Sequence, residues 1–264
     1  MIKRILGLLV LLIAFSSVSF AQGEFKMGLR VGPNFSTFYD VHSDGLDVPT
    51  LFSSKENYKM KVGVRAGFVF DVGLTDVISL QPAIYYSYQR MGTNGQYNYS
   101  DSLVMTTTEV LSMHVLQIPL MVNFSLHFRN NYNHAFVLGV GPYFSVALHG
   151  MDEMSGGAVD KYTGETYGVR GQANFYKNEQ ISYYIKDASG YSQTSVLPMK
   201  NHPYNRCDFG FSFNAGFQLS KFYIGAGCDL GVINSANQKE WENIGVTNYV
   251  QRNLNVNILI GYNF

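Results

Sequence analysis

Cysteine, charge and long apolar runs are all scarce in this sequence. Only Cys207 and Cys228 occur among its 264 residues, too few for a disulfide scaffold. Charged residues make up 14 % of the chain, 19 basic against 19 acidic, so the basic patch that a nucleic-acid partner requires is missing. The histidines, His42, His114, His127, His134, His149 and His202, are scattered, and no two stand at metal-ligand spacing. No cofactor is expected. Beyond the opening stretch, nothing approaches the roughly 18 apolar residues of a membrane-spanning helix.

That opening stretch, MIKRILGLLVLLIAFSSVSFAQ, has a basic start at Lys3 and Arg4, an apolar run from Ile5 to Phe15 and a small-x-small site at Ser19-Phe20-Ala21. It is the pattern of a cleaved secretory signal. Residues 1–21 are expected to be removed, leaving 22–264 as the mature chain. Lys3 and Arg4 leave with it and no acid does, so 17 basic residues then face 19 acidic ones, a net charge of −2. No cysteine follows the site, which argues against a lipid anchor. An exported chain without a spanning helix is either soluble or a membrane barrel.

Tyrosine and phenylalanine, 19 of each, fall into a regular pattern. In the closing RNLNVNILIGYNF every second residue is apolar: Leu254, Val256, Ile258, Ile260, Tyr262 and Phe264. Asn or Gly fills most positions between. Strict alternation marks a strand with two unlike faces. Seven more such segments precede it. They start near Phe25, Lys61, Ile78, Leu116, Phe136, Asp208 and Phe222. One face is bulky and apolar, and the other carries Gly, Asn, Ser, Gln, Arg and Asp. A charge on the apolar face in mid-membrane would cost about 2–4 kcal/mol, and charge is missing there. The polar face is therefore expected to line a lumen and the apolar face to meet lipid. Ahead of Leu116, the apolar residues Leu111, Met113 and Val115 fall out of phase, which suggests a β-bulge near Val115.

The connections alternate between short and long. Ser220-Lys221 is a two-residue turn, while the stretches near 36–59, 90–110, 150–206 and 234–248 are long. Outer-membrane barrels have short turns on one side and long loops on the other. The expected fold is all-β, an eight-stranded antiparallel up-and-down transmembrane β-barrel. Its 150–206 loop is expected to extend the wall or fold over the mouth. A two-residue turn at Ser220-Lys221 places Cys228 opposite Phe213 and Cys207 opposite Asn234. The sulfurs then lie roughly 20 Å apart at strand rise, where a disulfide needs Cα atoms within about 7 Å. Both cysteines are expected to be free.

The segments MGLRVGPNFSTF, VGVRAGFVFDVGLTDVISLQPAIYYSYQRMG, VLQIPLMVNFSL, FVLGVGPYFSVAL and LNVNILIGYNF together resemble the PorT-like outer-membrane β-barrel family of the Bacteroidota. The resemblance implies an eight-stranded barrel in the outer membrane. It also implies a link to protein secretion or surface export, without an assigned activity.

Some residues stand out within this pattern. GLRVG at Gly28 and GVRAG at Gly63 each set an arginine between glycines on the inward face. Arg30, Arg65, Asp229, Asn255 and Asn257 are expected to form an inward polar network, because buried charges need partners. It would serve either as a stabilising plug or as an ion or substrate path. Eight strands enclose a lumen that side chains just fill, which favours the plug. Gly261, Tyr262 and Phe264 form a C-terminal motif similar to the signal read by barrel-assembly machinery, a strand edge ready for pairing. GVG at Gly139 and GAG at Gly225 lack the remainder of a nucleotide-binding loop. HSDG at His42 groups His, Ser and Asp, but sequence neighbours rarely converge on one reacting atom.

No catalytic residue or metal ligand is assigned. The expected partners are outer-membrane lipid, the assembly machinery and a protein or glycan met by the outer loops. A non-enzymatic structural, accessory or adhesive role is expected. The alternatives are a rim enzyme acting on lipid or peptide and a narrow solute channel.

Overall fold

The computed structural model describes residues 25–42, 57–98, 103–128, 131–174, 181–187, 190–197, 204–243 and 247–264. The expected signal segment, Ser43 and Asp44 lie outside them. The strands are β1 (Phe25–His42), β2 (Asn57–Gly73), β3 (Ile78–Asn98), β4 (Leu103–Phe128), β5 (Asn131–Asp160), β6 (Thr166–Asn174), β7 (Ile181–Asp187), β8 (Gly190–Leu197), β9 (Cys207–Leu219), β10 (Phe222–Gly231) and β11 (Val250–Asn263). A single helical turn, α1 (Gln238–Glu242), precedes β11.

All strand pairings are antiparallel. β1 pairs with β2 and with β11, and β2 to β5 pair in sequence order. β5 then pairs with β9, β9 with β10, and β10 with β11, which returns to β1. The outcome is a ring-like sheet with β6, β7 and β8 added as a ribbon beside the upper part of β5. Much of the 150–206 loop is therefore strand. The turn at Ser220-Lys221 pairs Phe222 with Leu219 and Cys228 with Phe213. On its other edge β9 pairs with β5, where Cys207 stands opposite Val146; the β9–β10 ladder ends at Gly231 opposite Gly210, below Cys207. Both cysteines are free thiols.

Alternation decides which side chains go where. On β11, Val256, Ile258 and Ile260 point outward, while Asn253, Asn255 and Asn257 are buried inside. On β4, Ile118, Leu120 and Phe124 are exposed, and Gln117, Met121 and Asn123 are buried. An outward apolar belt thus surrounds a largely polar interior.

Higher up the wall, the polarity reverses. Inside, Phe38, Met91, Leu111, Met113, Val115 and Ala147 form an apolar cluster, packed by Val41, Tyr58 and Tyr204. Phe38 stacks on Tyr204 at 6.0 Å between ring centroids and meets Tyr58 edge-on at 6.2 Å. Outside, β4 presents Thr106, Thr108 and Ser112 at these levels. A strand crossing a bilayer needs about 9–11 residues, whereas β3, β4 and β5 have 21, 26 and 30. Their upper parts stand beyond the belt. There water replaces lipid outside, so burial of apolar groups turns inward.

The expected bulge near Val115 is present, but the slip does not lie in β4. Inward and outward positions alternate without a break from Leu111 to Asn123. Leu111, Met113 and Val115 change face chemistry, not phase. The register does shift at this level, between His114 and Val115, but the extra residue is Leu148 on the partner strand β5. A bulge there re-aims the side chains beyond it: Gly150, Asp152 and Met154 sit opposite Met113, Leu111 and Glu109.

Glycines let the inward rings lie against the wall. A Cβ on Gly67 would come within 2.6 Å of the Tyr85 ring, and one on Gly210 within 2.7 Å of the Tyr143 ring. The β5–β6 turn is held by Asp160, whose carboxylate accepts bonds from the backbone N–H groups of Tyr162 and Thr163. Those donors hold its carboxyl below the usual carboxylate range.

The reversal has a direct test. Ile258→Arg, in mid-belt, is expected to lower stability by about 2–4 kcal/mol in lipid vesicles. Thr108→Arg, outward but above the belt, is expected to stay within about 0.5 kcal/mol of the parent. Denaturant titration of the refolded protein measures both.

Candidate functional site

The polar interior is concentrated at mid-height. Arg65 on β2 donates from Nη1 to Asp229 Oδ2 on β10 at 2.5 Å, with both side chains 4 % exposed. Ser212 on β9 donates to the other carboxylate oxygen at 2.6 Å. The Arg65 guanidinium lies 4.1 Å from the Tyr85 ring centroid. Arg30 on β1 lies 4.4 Å from that of Tyr223 and donates to the Leu29 carbonyl at 3.2 Å. Asn255 stands opposite Asp229 and Asn257 opposite Gly227.

Of the residues singled out from sequence, Arg65 and Asp229 are joined directly. Arg30 and Asn257 line the same cavity of about 40 Å³ as that pair, but no hydrogen bond ties Arg30 to it among the described residues. That volume suits roughly three waters. Asn255 lies above it, on the wall of a second, smaller cavity.

The arrangement contains partners that the sequence pattern left unassigned. Tyr85, Tyr223 and Ser212 complete the lower group. Above it, Asp208 Oδ2 accepts from Tyr143 Oη at 2.8 Å and from Asn253 Nδ2 at 2.9 Å. All of these residues sit on the inward phase of their strands, beside inward glycines. Parity was the available signal, since each tyrosine shares a face with residues counted as lumenal.

Other candidates resolve differently. His42 Nδ1 lies 3.5 Å from Asp40, and Asp40 also pairs with Arg252 at the rim. His114 and His149, distant in sequence, meet with ring centroids 5.8 Å apart, and His114 Nδ1 bonds Tyr86 Oη at 2.5 Å. This ring cluster stands where the apolar belt ends, as interfacial aromatics do. Among the described residues, no group of three or more His, Cys, Asp or Glu could hold a metal. Gly261 packs against Arg30. Tyr262 contacts Phe222 and Phe264 at 5.4 and 5.7 Å on the outer face.

The family model described as outer membrane protein beta-barrel domain matches residues 20–237, and the chain belongs to that family. No curated protein matches by sequence. Among solved structures, the chain is similar to Ail, the attachment invasion locus protein of Yersinia pestis, in complex with the heparin analogue sucrose octasulfate. That match has 11 % identity, covers 91 % of this chain and 99 % of the other, and has a TM-score of 0.35. It is also similar to Neisserial surface protein A, with 9 % identity, 92 % and 99 % coverage and a TM-score of 0.37. The protein is an outer-membrane protein whose apolar belt faces lipid.

The ion pair is the part of the interior most sensitive to substitution. Asp229→Asn or Arg65→Met alone is expected to cost about 3–5 kcal/mol, because each leaves a buried charge without its partner. The double variant Arg65→Met with Asp229→Leu is expected to recover most of that loss. Unfolding of the single and double variants in a double-mutant cycle checks it.

Proposed function

From its membership of the outer-membrane barrel family, we propose that the chain forms an eight-stranded antiparallel up-and-down transmembrane barrel, PorT-like in type. It acts without catalysis as a structural, accessory or adhesive component of the cell surface. The circuit of pairings from β1 through β5 and β9 to β11 supports the strand count. Residues 22–264 make up the mature barrel after loss of 1–21. The closing Gly261, Tyr262 and Phe264 serve assembly.

The observation that carries this reading is the interior at mid-height. Arg65, Asp229 and Ser212 bridge strands from different parts of the wall, with Tyr85 and Tyr223 laid against the two guanidiniums. Arg30, Arg65, Asp229, Asn255 and Asn257 act as a stabilising plug rather than a solute path. The working surface is then the upper wall, where β3, β4, β5 and the β6–β8 ribbon rise beyond the belt. A protein or glycan partner, with a role in secretion or surface export, would be met there.

Planar-bilayer recording tests the plug. The parent protein is expected to give no steady single-channel current, whereas steady, uniform conductance steps would contradict it. The double variant Arg65→Ala with Asp229→Ala, which empties the middle of the lumen, is expected to conduct.

A further inference from the structure

A second cavity, of about 20 Å³, lies above the plug, with Phe38, Met113, Val115, Ala147 and Tyr204 of the apolar cluster on one side of its wall. Its wall includes Asp208, Ser235, Asn253 and Asn255, all at least nine-tenths buried. Each has an oxygen without a protein partner: Asp208 Oδ1, Ser235 Oγ, Asn253 Oδ1 and Asn255 Oδ1. Three come from β9 and β11, and Ser235 from the segment between β10 and α1. The orientation of Asn253 is fixed, because its Nδ2 donates to Asp208 Oδ2. Its Oδ1 therefore cannot be exchanged for a donor. Tyr143 donates to that same carboxylate oxygen, which leaves Oδ1 without a side-chain donor, the backbone N–H of Phe209 lying near the carboxylate.

We propose that this cavity holds one hard, oxygen-preferring cation, coordinated by Asp208, Asn253, Asn255 and Ser235. Hard cations take carboxylate, amide-carbonyl and hydroxyl oxygens at about 2.3–2.6 Å. The cavity admits one water-sized body. A single water has two hydrogens to offer, and the serine hydroxyl can turn its own toward one neighbour. A cation satisfies all four oxygens at once and balances the carboxylate. Gln117, whose Nε2 is also buried without a protein partner, belongs to the same wall, and a turn of its amide would offer a fifth oxygen. Arg206, exposed on the outer side, lines the cavity as well. It places a competing positive charge at the entrance, and with only one carboxylate present it makes for modest affinity. Asn205 and Arg206 are the exposed residues of its wall. The occupant would tie β9 to β11 directly above the Arg65–Asp229 pair.

Terbium reports on such a site, because the hydroxyl of Tyr143 lies 2.8 Å from the carboxylate and a nearby tyrosine sensitises its emission. The refolded mature chain in detergent is titrated with Tb³⁺, then with Ca²⁺, Na⁺ or K⁺ as competitors. Saturable one-to-one emission is expected, displaced by the cation that the site prefers. Asp208→Asn is expected to weaken it at least about tenfold, and Asn255→Asp, which adds a second carboxylate, to tighten it about tenfold. Folding of each variant is checked by its faster migration when unboiled. Emission that is absent, or equal in the parent and Asp208→Asn, overturns the proposal. If Asp208→Asn does not fold, unchanged affinity in Asn255→Asp overturns it instead.

Discussion

Hydrocarbon offers a backbone no hydrogen-bond partners, and the rest of this structure depends on that constraint. Each strand must find its donors and acceptors in its neighbours. The ring of antiparallel pairs from β1 round to β11 does so. Once the wall is a ring, alternation sends half the side chains to lipid and half to a narrow lumen. The lipid side accepts Leu, Ile, Val and Phe at no cost. The lumen side must then deal with whatever polarity and charge it is given, and here it does so by direct pairing, as in Arg65 with Asp229 and Ser212.

The same rule explains why the interior changes character with height. Within the belt, polar groups are inside because lipid is outside. Above the belt, water takes over the outer surface, and the strands bury Leu111, Met113 and Met91 instead. The changeover lies near Leu148, where β5 gains its extra residue, and near the His114, His149, Tyr86 and Tyr88 rings. One continuous strand thus obeys two burial rules, with the membrane surface between them.

This reversal also shows how far the sequence could be read. Inside the belt the pattern was plain: every alternating segment corresponds to a strand, and the turn at Ser220-Lys221 fixes the register of β9 against β10. Above it, period-2 reading failed, since a strand whose apolar face has switched sides looks like a phase error. Leu111, Met113 and Val115 therefore suggested a bulge near Val115, and one lies at that level with its extra residue, Leu148, on β5. The β6–β8 ribbon gave no such signal, because Gly, Tyr and Ser follow one another there without a period-2 order in the sequence. At mid-height, inward parity, flanking glycines and charge together pointed to Arg30, Arg65 and Asp229. The roles of Tyr85, Tyr223 and Tyr143 depend on glycines across from them on neighbouring strands, and no single stretch of chain reveals those.

The central claim is that one strand crosses from lipid to water while its alternation continues unbroken. Nitroxide scanning of the outward positions of β4, from Thr106 to Phe124, tests it most directly in reconstituted bilayers. High oxygen and low nickel-chelate accessibility is expected from Leu116 to Phe124, reversing above Ser112. Uniform accessibility along the whole face would contradict the claim, and so would a reversal inside the Leu116 to Phe124 span.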